Sequence, residues 1–332
     1  MPKLYVAEYT RVYADKSVLI ACREGILRDH FNHIVADLKF LVRQGIRVTL
    51  FHNMPNRFAN QKHFKLLASK LHETHIIRVP SETDFYEYVL DYQAHAFKLI
   101  FLERKCLVDG EGKRINSLNT DGARQSMKNF GDLIANENFK NTLERICHKI
   151  ENGNYERVHI LPAGKNAVKH ELFTVEGSGT LIANNFTEVF SRLSSGDDEK
   201  IVAGILSLSK GEGYLKPRTL SYVRSNRQHF YVTKIDDIIV GCVEGIRIDP
   251  QTVELGALAI STKFRNHRVG VHTVNAFIDE WKRKGYERFI SLTNNPRLQR
   301  LYCKLGFEKK TPAQYQSRQD ASPGVAMFYK QL

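Results

Sequence analysis

Glu254–Gly270 reads E-L-G-A-L-A-I-S-T-K-F-R-N-H-R-V-G, and the rest of the chain is read outward from this stretch. An apolar run of strand character passes into a short loop beginning at Arg265. The loop opens a long amphipathic helix with Gly270 at its start. The first amides of such a helix lack helical acceptors, and the helix dipole adds positive potential. The turn is therefore a ready anion site, and glycine lets the backbone approach the anion closely. One strand–loop–helix turn is a common arrangement, so its meaning rests on its surroundings.

Around it the sequence predicts an α+β module. A helix over Asp198–Leu208 precedes strands at His229–Ile235, Ile238–Arg247 and Val253–Ile260, with Asp236-Asp237 as a hairpin turn. The long helix, Gly270–Lys284, carries Val271, Val274, Phe277, Ile278 and Trp281 on one stripe, and Gly285 stops it. A strand at Arg288–Leu292, a helix at Arg297–Lys304 and a strand at Val325–Tyr329 complete an expected antiparallel sheet. The first half instead alternates strand-like runs (Ser17–Ala21, Ile46–Phe51, Lys98–Leu102, Arg157–Leu161) with helical stretches such as Phe31–Val42, Glu137–Glu151 and Ala163–Phe173. That alternation predicts an α/β fold with a mostly parallel sheet. Ser191–Asp198 (SRLSSGDD) is polar and contains Gly196, so it is the expected linker, dividing residues 1–190 from 191–332.

A chain of 332 residues, 42% hydrophobic and 26% charged, suits two globular domains and is too apolar for wholesale disorder. No run approaches the ~18 apolar residues of a membrane helix, and the N-terminal residues lack a signal or transit pattern, so a cytoplasmic location is expected. The five cysteines are far apart and form no C-x-x-C, as in a reducing compartment. His72 and His75 come close in sequence but give no metal-ligand pattern, and no metal is expected. The net charge of +13 is concentrated in residues 190–332, with 23 basic and 14 acidic residues, against 26 and 22 in residues 1–189. The excess suggests an anionic partner. With no aromatic–basic repeat or binding motif, nucleic acid is not the expected one.

Asn294–Phe307, N-N-P-R-L-Q-R-L-Y-C-K-L-G-F, puts a strand end, a short helix bearing Tyr302, and Gly-Phe in succession. Together with Arg265–Gly270 it resembles the GNAT N-acetyltransferases, whose pyrophosphate loop reads Q/R-x-x-G-x-G/A. Arg268 stands where that loop has its middle glycine. In the first half, Glu171–Thr180 (E-L-F-T-V-E-G-S-G-T) looks like a hallmark of N-acetylglutamate synthases and arginine-sensitive acetylglutamate kinases. Glu254–Gly270 also follows the synthases' E-L-x-x-L-A-V-x-x-x-Y-R-x-x-x-x-G, and some of their bacterial members likewise lack the middle glycine. Leu215-Lys216-Pro217-Arg218 is similar to the segment before their first GNAT strands. The resemblance, from about residue 17 to the end, implies an amino-acid-kinase-like domain followed by a GNAT domain. It also implies acetyl-CoA and an amino acid as substrates, and a homo-oligomer.

Two departures qualify it. Where kinase-active relatives hold phosphates with a Lys and glycines, this chain reads Ala21-Cys22-Arg23-Glu24-Gly25 and Leu50-Phe51-His52-Asn53. No kinase activity is expected, and the domain would be regulatory or structural. The synthases' acceptor-binding Arg and Ser would correspond to Arg318 and Ser322, but with shifted spacing, which leaves the acceptor open.

The resemblance assigns roles residue by residue. A backbone amide among Leu258, Ala259 and Ile260 would stabilise the thioester oxygen. Arg265, Asn266, His267, Arg268, Val269, Gly270 and Val271 would hold the pyrophosphate. Tyr302 would protonate the departing thiolate, the plain alternative being a core tyrosine. Glu254 would take the substrate ammonium proton, unless it is a solvent-facing carboxylate. Asn294 would orient the pantetheine arm, or simply form a turn. Arg218 would pair with the acceptor carboxylate. Glu171 and Gly177 would bind arginine as an allosteric ligand. The competing reading is a non-catalytic amino-acid sensor built on the kinase-like half.

Overall fold

The computed structural model describes residues 3–59, 61–62, 65, 69–71, 74–92, 96–130, 137–184, 186–194, 196–211, 213, 217–265, 267–318 and 324–332. Asn266, Ser322, His72, Leu215 and Lys216 lie outside the described residues. The chain divides into two compact units between Phe186 and Thr187.

The first unit is built on seven strands: β1 (Ser17–Cys22), β2 (Arg47–His52), β3 (Thr74–Arg78), β4 (Lys98–Glu103), β5 (Ser117–Leu118), β6 (Val158–Pro162) and β7 (Thr180–Ile182). Their order is β3-β2-β1-β4-β6-β7-β5, parallel at every pair except β6/β7. Central strands of a parallel sheet are covered on both faces, so they read as unbroken apolar runs; every residue of β4 is buried. The helix expected over Phe31–Val42 begins at Glu24 and is interrupted at His30, where φ is −118°. Periodicity detects only the segment after that break. The helix expected from Ala163 starts at Ala167, because Asn166 takes a left-handed conformation at its N-cap.

The second unit holds β8 (Val189–Arg192), β9 (Phe230–Ile235), β10 (Ile238–Asp249), β11 (Thr252–Ile260), β12 (Arg288–Thr293), β13 (Glu308–Lys309) and β14 (Ala326–Gln331), in the order β13-β14-β12-β11-β10-β9-β8. Ser191 and Arg192, expected in the linker, pair with β9 in the edge strand β8, and the next helix runs Gly196–Gly211. The expected antiparallel sheet is corrected at one place: β11 and β12 run parallel. They are joined by the long helix, Val269–Lys282, and such a crossover returns the chain in the same direction.

That helix packs Val274, Phe277, Ile278 and Trp281 on one face of the sheet, with Tyr231, Val243, Val253, Leu255, Leu258 and Phe289. Gly245 permits the fit, since a Cβ there would lie 2.6 Å from Trp281 Cζ2. Alternation along the strands puts Glu244 of β10 and Glu254 and Gly256 of β11 on the opposite face.

Candidate active site

The geometry of the site starts with a failure of pairing. β11 and β12 are hydrogen-bonded only where Thr252–Glu254 face Arg288–Ile290. Beyond Glu254 the paired register ends, and β11 continues to Ile260 bonded to β10 alone. A β-bulge lies in this part of β11. Glu244 faces Gly256 and Cys242 faces Ala259, so Ala257 and Leu258 oppose one residue, and Ala257 has φ +49°. A bulge bends its strand and re-aims the residues beside it. Successive amides of a strand point to opposite neighbours, so Leu258, Ala259 and Ile260 supply an N–H toward the open side.

The loop after β11 forms a single 3-10 turn, Thr262–Phe264, and then reaches Arg268, the N-cap of the long helix. Arg268 has φ +54° and ψ 5°, the conformation a glycine adopts freely, so the arginine preserves the loop's backbone shape at a local strain. No side chain caps this helix, and its first N–H groups are left for water or an anion. Val269 is buried and Thr273 Oγ1 donates to its carbonyl at 2.8 Å, which anchors the first turn. Arg265 Nε donates to the Ile260 carbonyl at 3.3 Å, folding the loop back onto the end of β11. His267 is buried and its amide donates to the Phe264 carbonyl. A Cβ on Gly270 would sit 3.4 Å from Leu301 Cδ2, so the loop and the Tyr302 helix, Pro296–Lys304, adjoin.

Tyr302 is 0% exposed and packs against the tilted rings of Phe307 and Phe328 at centroid distances of 5.2 and 5.6 Å. Its hydroxyl lies 3.0 Å from Ser291 Oγ, which donates to the Leu255 carbonyl at 2.9 Å. The hydroxyl thus reaches the point where β11 and β12 separate. Burial pushes its pKa up to about 12, so it stays protonated at neutral pH. Ser291 was missing from the sequence reading, because nothing in R-F-I-S-L-T distinguishes it from any strand serine. Asn294 directly follows β12, and the neighbouring Asn295 caps the Tyr302 helix by accepting from the Arg297 amide at 2.9 Å.

On the other face Glu254 is 8% exposed and paired with Arg318, whose Nη2 and Nε lie 2.6 and 3.2 Å from Oε2. The structure thus brings together the expected base and the expected acceptor-binding arginine as partners of one another. Arg318 ends a 3-10 turn, Ala313–Arg318, fixed by the buried Tyr315, whose hydroxyl lies 2.7 Å from Thr252 Oγ1. Arg218 is also engaged. Its Nε donates to Glu244 Oε2 at 3.2 Å, and its guanidinium lies 4.7 Å from the Tyr222 ring centroid. The Tyr222 hydroxyl donates to Glu244 Oε1 at 2.5 Å. Burial first, then the Glu244 bond, raise the Tyr222 pKa to about 12. Sequence reasoning missed Glu244 and Tyr222; the available signal was a carboxylate in the apolar strand I-I-V-G-C-V-E-G-I.

In the first unit Glu171 is engaged within the protein. It is 1% exposed; Oε1 lies 2.7 Å from His159 Nδ1, and Oε2 accepts from the amides of Ser178 and Gly179 at 2.6 and 3.0 Å. Both oxygens bind the protein itself, holding the 177–179 turn to β6. Gly177 has φ +67°, donates to Thr174 Oγ1 and accepts from Arg114. At the carboxyl ends of β1, β2 and β4, Arg23 Nη2 donates to Glu103 Oε2 at 3.2 Å, Tyr86 donates to Oε1 at 2.6 Å, and the Glu24 amide donates to Asn53 Oδ1 at 2.7 Å. Among the described residues no cluster of three or more His, Cys, Asp or Glu could hold a metal ion. No described helix is long and apolar enough to cross a membrane.

Residues 201–307 match the acetyltransferase (GNAT) family. An amino-acid acetyltransferase of Pseudomonas fluorescens (strain Pf0-1) is 24% identical over 235 residues, 68% of this chain and 52% of the relative. The amino-acid acetyltransferase of Haemophilus ducreyi is 24% identical over 200 residues, 57% of this chain and 43% of that one. The chain thus spans about half the length of the curated relatives it matches. The crystal structure of N-acetylglutamate synthase from Neisseria gonorrhoeae, complexed with coenzyme A and L-arginine, superposes with a TM-score of 0.52 at 15% identity. That superposition covers 99% of this chain and 98% of the other, a likeness of fold.

Proposed function

We propose that this chain, which fits the N-acetylglutamate-synthase-like family and carries a GNAT domain, is an acetyl-CoA-dependent amino-acid N-acetyltransferase. On this reading the acceptor is L-glutamate and the product N-acetyl-L-glutamate, the first step of arginine biosynthesis. The observation that carries it is the gap between β11 and β12, with an uncapped helix start on its loop side, a buried tyrosine hydroxyl at its root, and a carboxylate–guanidinium pair on the opposite face.

Acetyl-CoA supplies an acetyl group already activated as a thioester. The residues fit such a ligand. The amides of Val269, Gly270 and Val271 face a diphosphate with the helix dipole behind them, and Arg265 and Arg268 add charge. A free amide among Leu258–Ile260 stabilises negative charge developing on the thioester oxygen. Glu254 accepts a proton from the acceptor ammonium, and Tyr302 donates one to the leaving thiolate. The two groups act from opposite faces of the sheet, one on each side of the reacting carbon. Holding both reactants in the gap supplies much of the rate.

A thiol-release assay with acetyl-CoA, scanning the amino acids, tests the reading, with glutamate expected to be the best acceptor. No thiol release with any amino acid, together with heat stabilisation by arginine, would replace it with the sensor. The same reading includes a cytoplasmic homo-oligomer, which sedimentation checks for assembly.

A further inference from the structure

The start of the long helix is seated on one row of the sheet. Thr233 of β9 faces Gly241 of β10, and Gly241 faces Ile260 of β11, so the three share the side of the sheet that the helix covers. Gly241 leaves a notch in that row: a Cβ there would lie 2.6 Å from Ile260 Cδ1 and 3.5 Å from Thr273 Oγ1. Above the notch Thr273 of the helix reaches Thr233, with the two hydroxyl oxygens 2.7 Å apart and both residues 0% exposed. A hydroxyl carries one proton. Thr273 donates its own to the Val269 carbonyl at 2.8 Å, so Thr233 is the donor to Thr273. A chain of two hydrogen bonds therefore runs from the sheet into the first turn of the helix. At the far end of the row Gly270 adjoins Ile260, since its Cβ would sit 3.9 Å from Ile260 Cγ1. The Ser261 amide donates to the Val240 carbonyl at 2.8 Å, which ties the end of β11 to β10.

We infer that the Thr233–Thr273 hydrogen bond is a ruler for coenzyme A: it sets the spacing between the helix-start amides that meet the diphosphate and the β11 amide that meets the thioester. The inference rests on the CoA site of the transferase reading. One pantetheine arm joins the two ends of the ligand, so both seat together only when the two sets of amides are correctly spaced. Apolar packing alone leaves a helix some freedom to slide, whereas a hydrogen bond weakens steeply as its geometry departs. Around this helix the core is otherwise aromatic and aliphatic, and the two hydroxyls satisfy each other within it. A fully satisfied buried polar pair fixes one arrangement of the elements it joins. Thr233 and Thr273 are positioning residues, acting through the backbone of the first helical turn.

The test is a double variant of the full chain, Thr233→Val with Thr273→Val. Valine keeps the shape of threonine, and both hydroxyls leave together, so no buried donor is orphaned and the urea midpoint should stay close to that of the unmodified protein. Calorimetry should show CoA binding weakened by about 10-fold. In turnover, kcat/KM for acetyl-CoA should fall by about 10-fold relative to that for S-acetylpantetheine, which has the thioester but no diphosphate, and the loss should lie in KM. Thr273→Ser, which keeps the hydroxyl, should hold CoA affinity within about twofold of the unmodified value. Unchanged CoA affinity in the double variant, or equal losses with the two donors, overturns the ruler alone. If the unmodified protein binds CoA but releases no thiol with any amino acid, the transferase reading fails, and the calorimetric comparison still decides the ruler. No binding of CoA by the unmodified protein overturns both.

Discussion

Replacing Tyr302 by Phe separates a chemical role from a packing role, because the structure makes the two consequences unequal. The ring is fully buried between Phe307 and Phe328, and Phe preserves that packing. The lost hydroxyl lies 3.0 Å from Ser291 Oγ, but Ser291 keeps its bond to the Leu255 carbonyl at 2.9 Å, so no donor is orphaned. The stability cost should therefore be about 0.5–1.5 kcal/mol, read from urea unfolding. If the hydroxyl protonates the leaving thiolate, kcat should fall by about 10²- to 10⁴-fold with acetyl-CoA affinity little changed. That fall corresponds to about 3–5 kcal/mol in the barrier, more than the fold loses. With its pKa pushed up to about 12, Tyr302 stays protonated in any neutral assay, so its ionisation contributes no alkaline limb there. Ser291→Ala is the control: it removes the hydroxyl that donates to the Leu255 carbonyl, at about 1–3 kcal/mol in stability, but leaves the Tyr302 hydroxyl in place. A Tyr302→Phe enzyme with kcat within about twofold of the unmodified one would refute the reasoning and leave Tyr302 as a core residue.

Gly245→Ala should destabilise the second unit by about 1–3 kcal/mol, because its Cβ would lie 2.6 Å from Trp281 Cζ2; an unchanged urea midpoint would contradict that packing. Arg268→Gly should leave stability equal or raise it by up to about 1 kcal/mol, since relief of the φ +54° strain outweighs the added freedom of the unfolded chain; a clear loss of stability would mean the loop is not left-handed there. Asp37 is buried and accepts from the Val168 amide at 2.9 Å, and burial pushes its carboxyl up to about 6. The folded state then holds this proton more tightly than the unfolded chain. Its contribution to stability therefore falls as pH rises from about 4 to about 6, by about 3 kcal/mol. Asp37→Asn should flatten that window in urea midpoints measured across it, and identical slopes in the two proteins would rule the effect out.

The layered organisation was legible because it depends on local pattern. Parallel strands covered on both faces gave unbroken runs such as K-L-I-F-L, and the stripe Val274, Phe277, Ile278, Trp281 marked the long helix. What escaped was set by single residues or by distant partners. His30 breaks the first long helix through its backbone angles alone. β8 is a strand because β9 lies beside it; in isolation Ser191 and Arg192 look like linker. The parallel β11/β12 pair followed from the helix between them and could have been deduced, because a strand–helix–strand unit returns in the same direction.

The site divides along the same physical line. Its backbone parts were readable, since an uncapped helix start after an apolar strand is written in consecutive residues, and the structure adds that Arg268 occupies the glycine-like conformation. Its charged parts were named one at a time as though each faced a ligand. A buried charge, however, must be compensated within the fold before any ligand arrives, and the structure pairs them accordingly: Glu254 with Arg318, Arg218 with Glu244, Glu171 with His159 and two amides. The first two pairs span 64 and 26 residues of sequence, so no local window contains them. The differences among them are then informative. Glu171 binds the protein through both oxygens and is sealed from solvent, whereas Glu254 keeps a partner, Arg318, that solvent reaches.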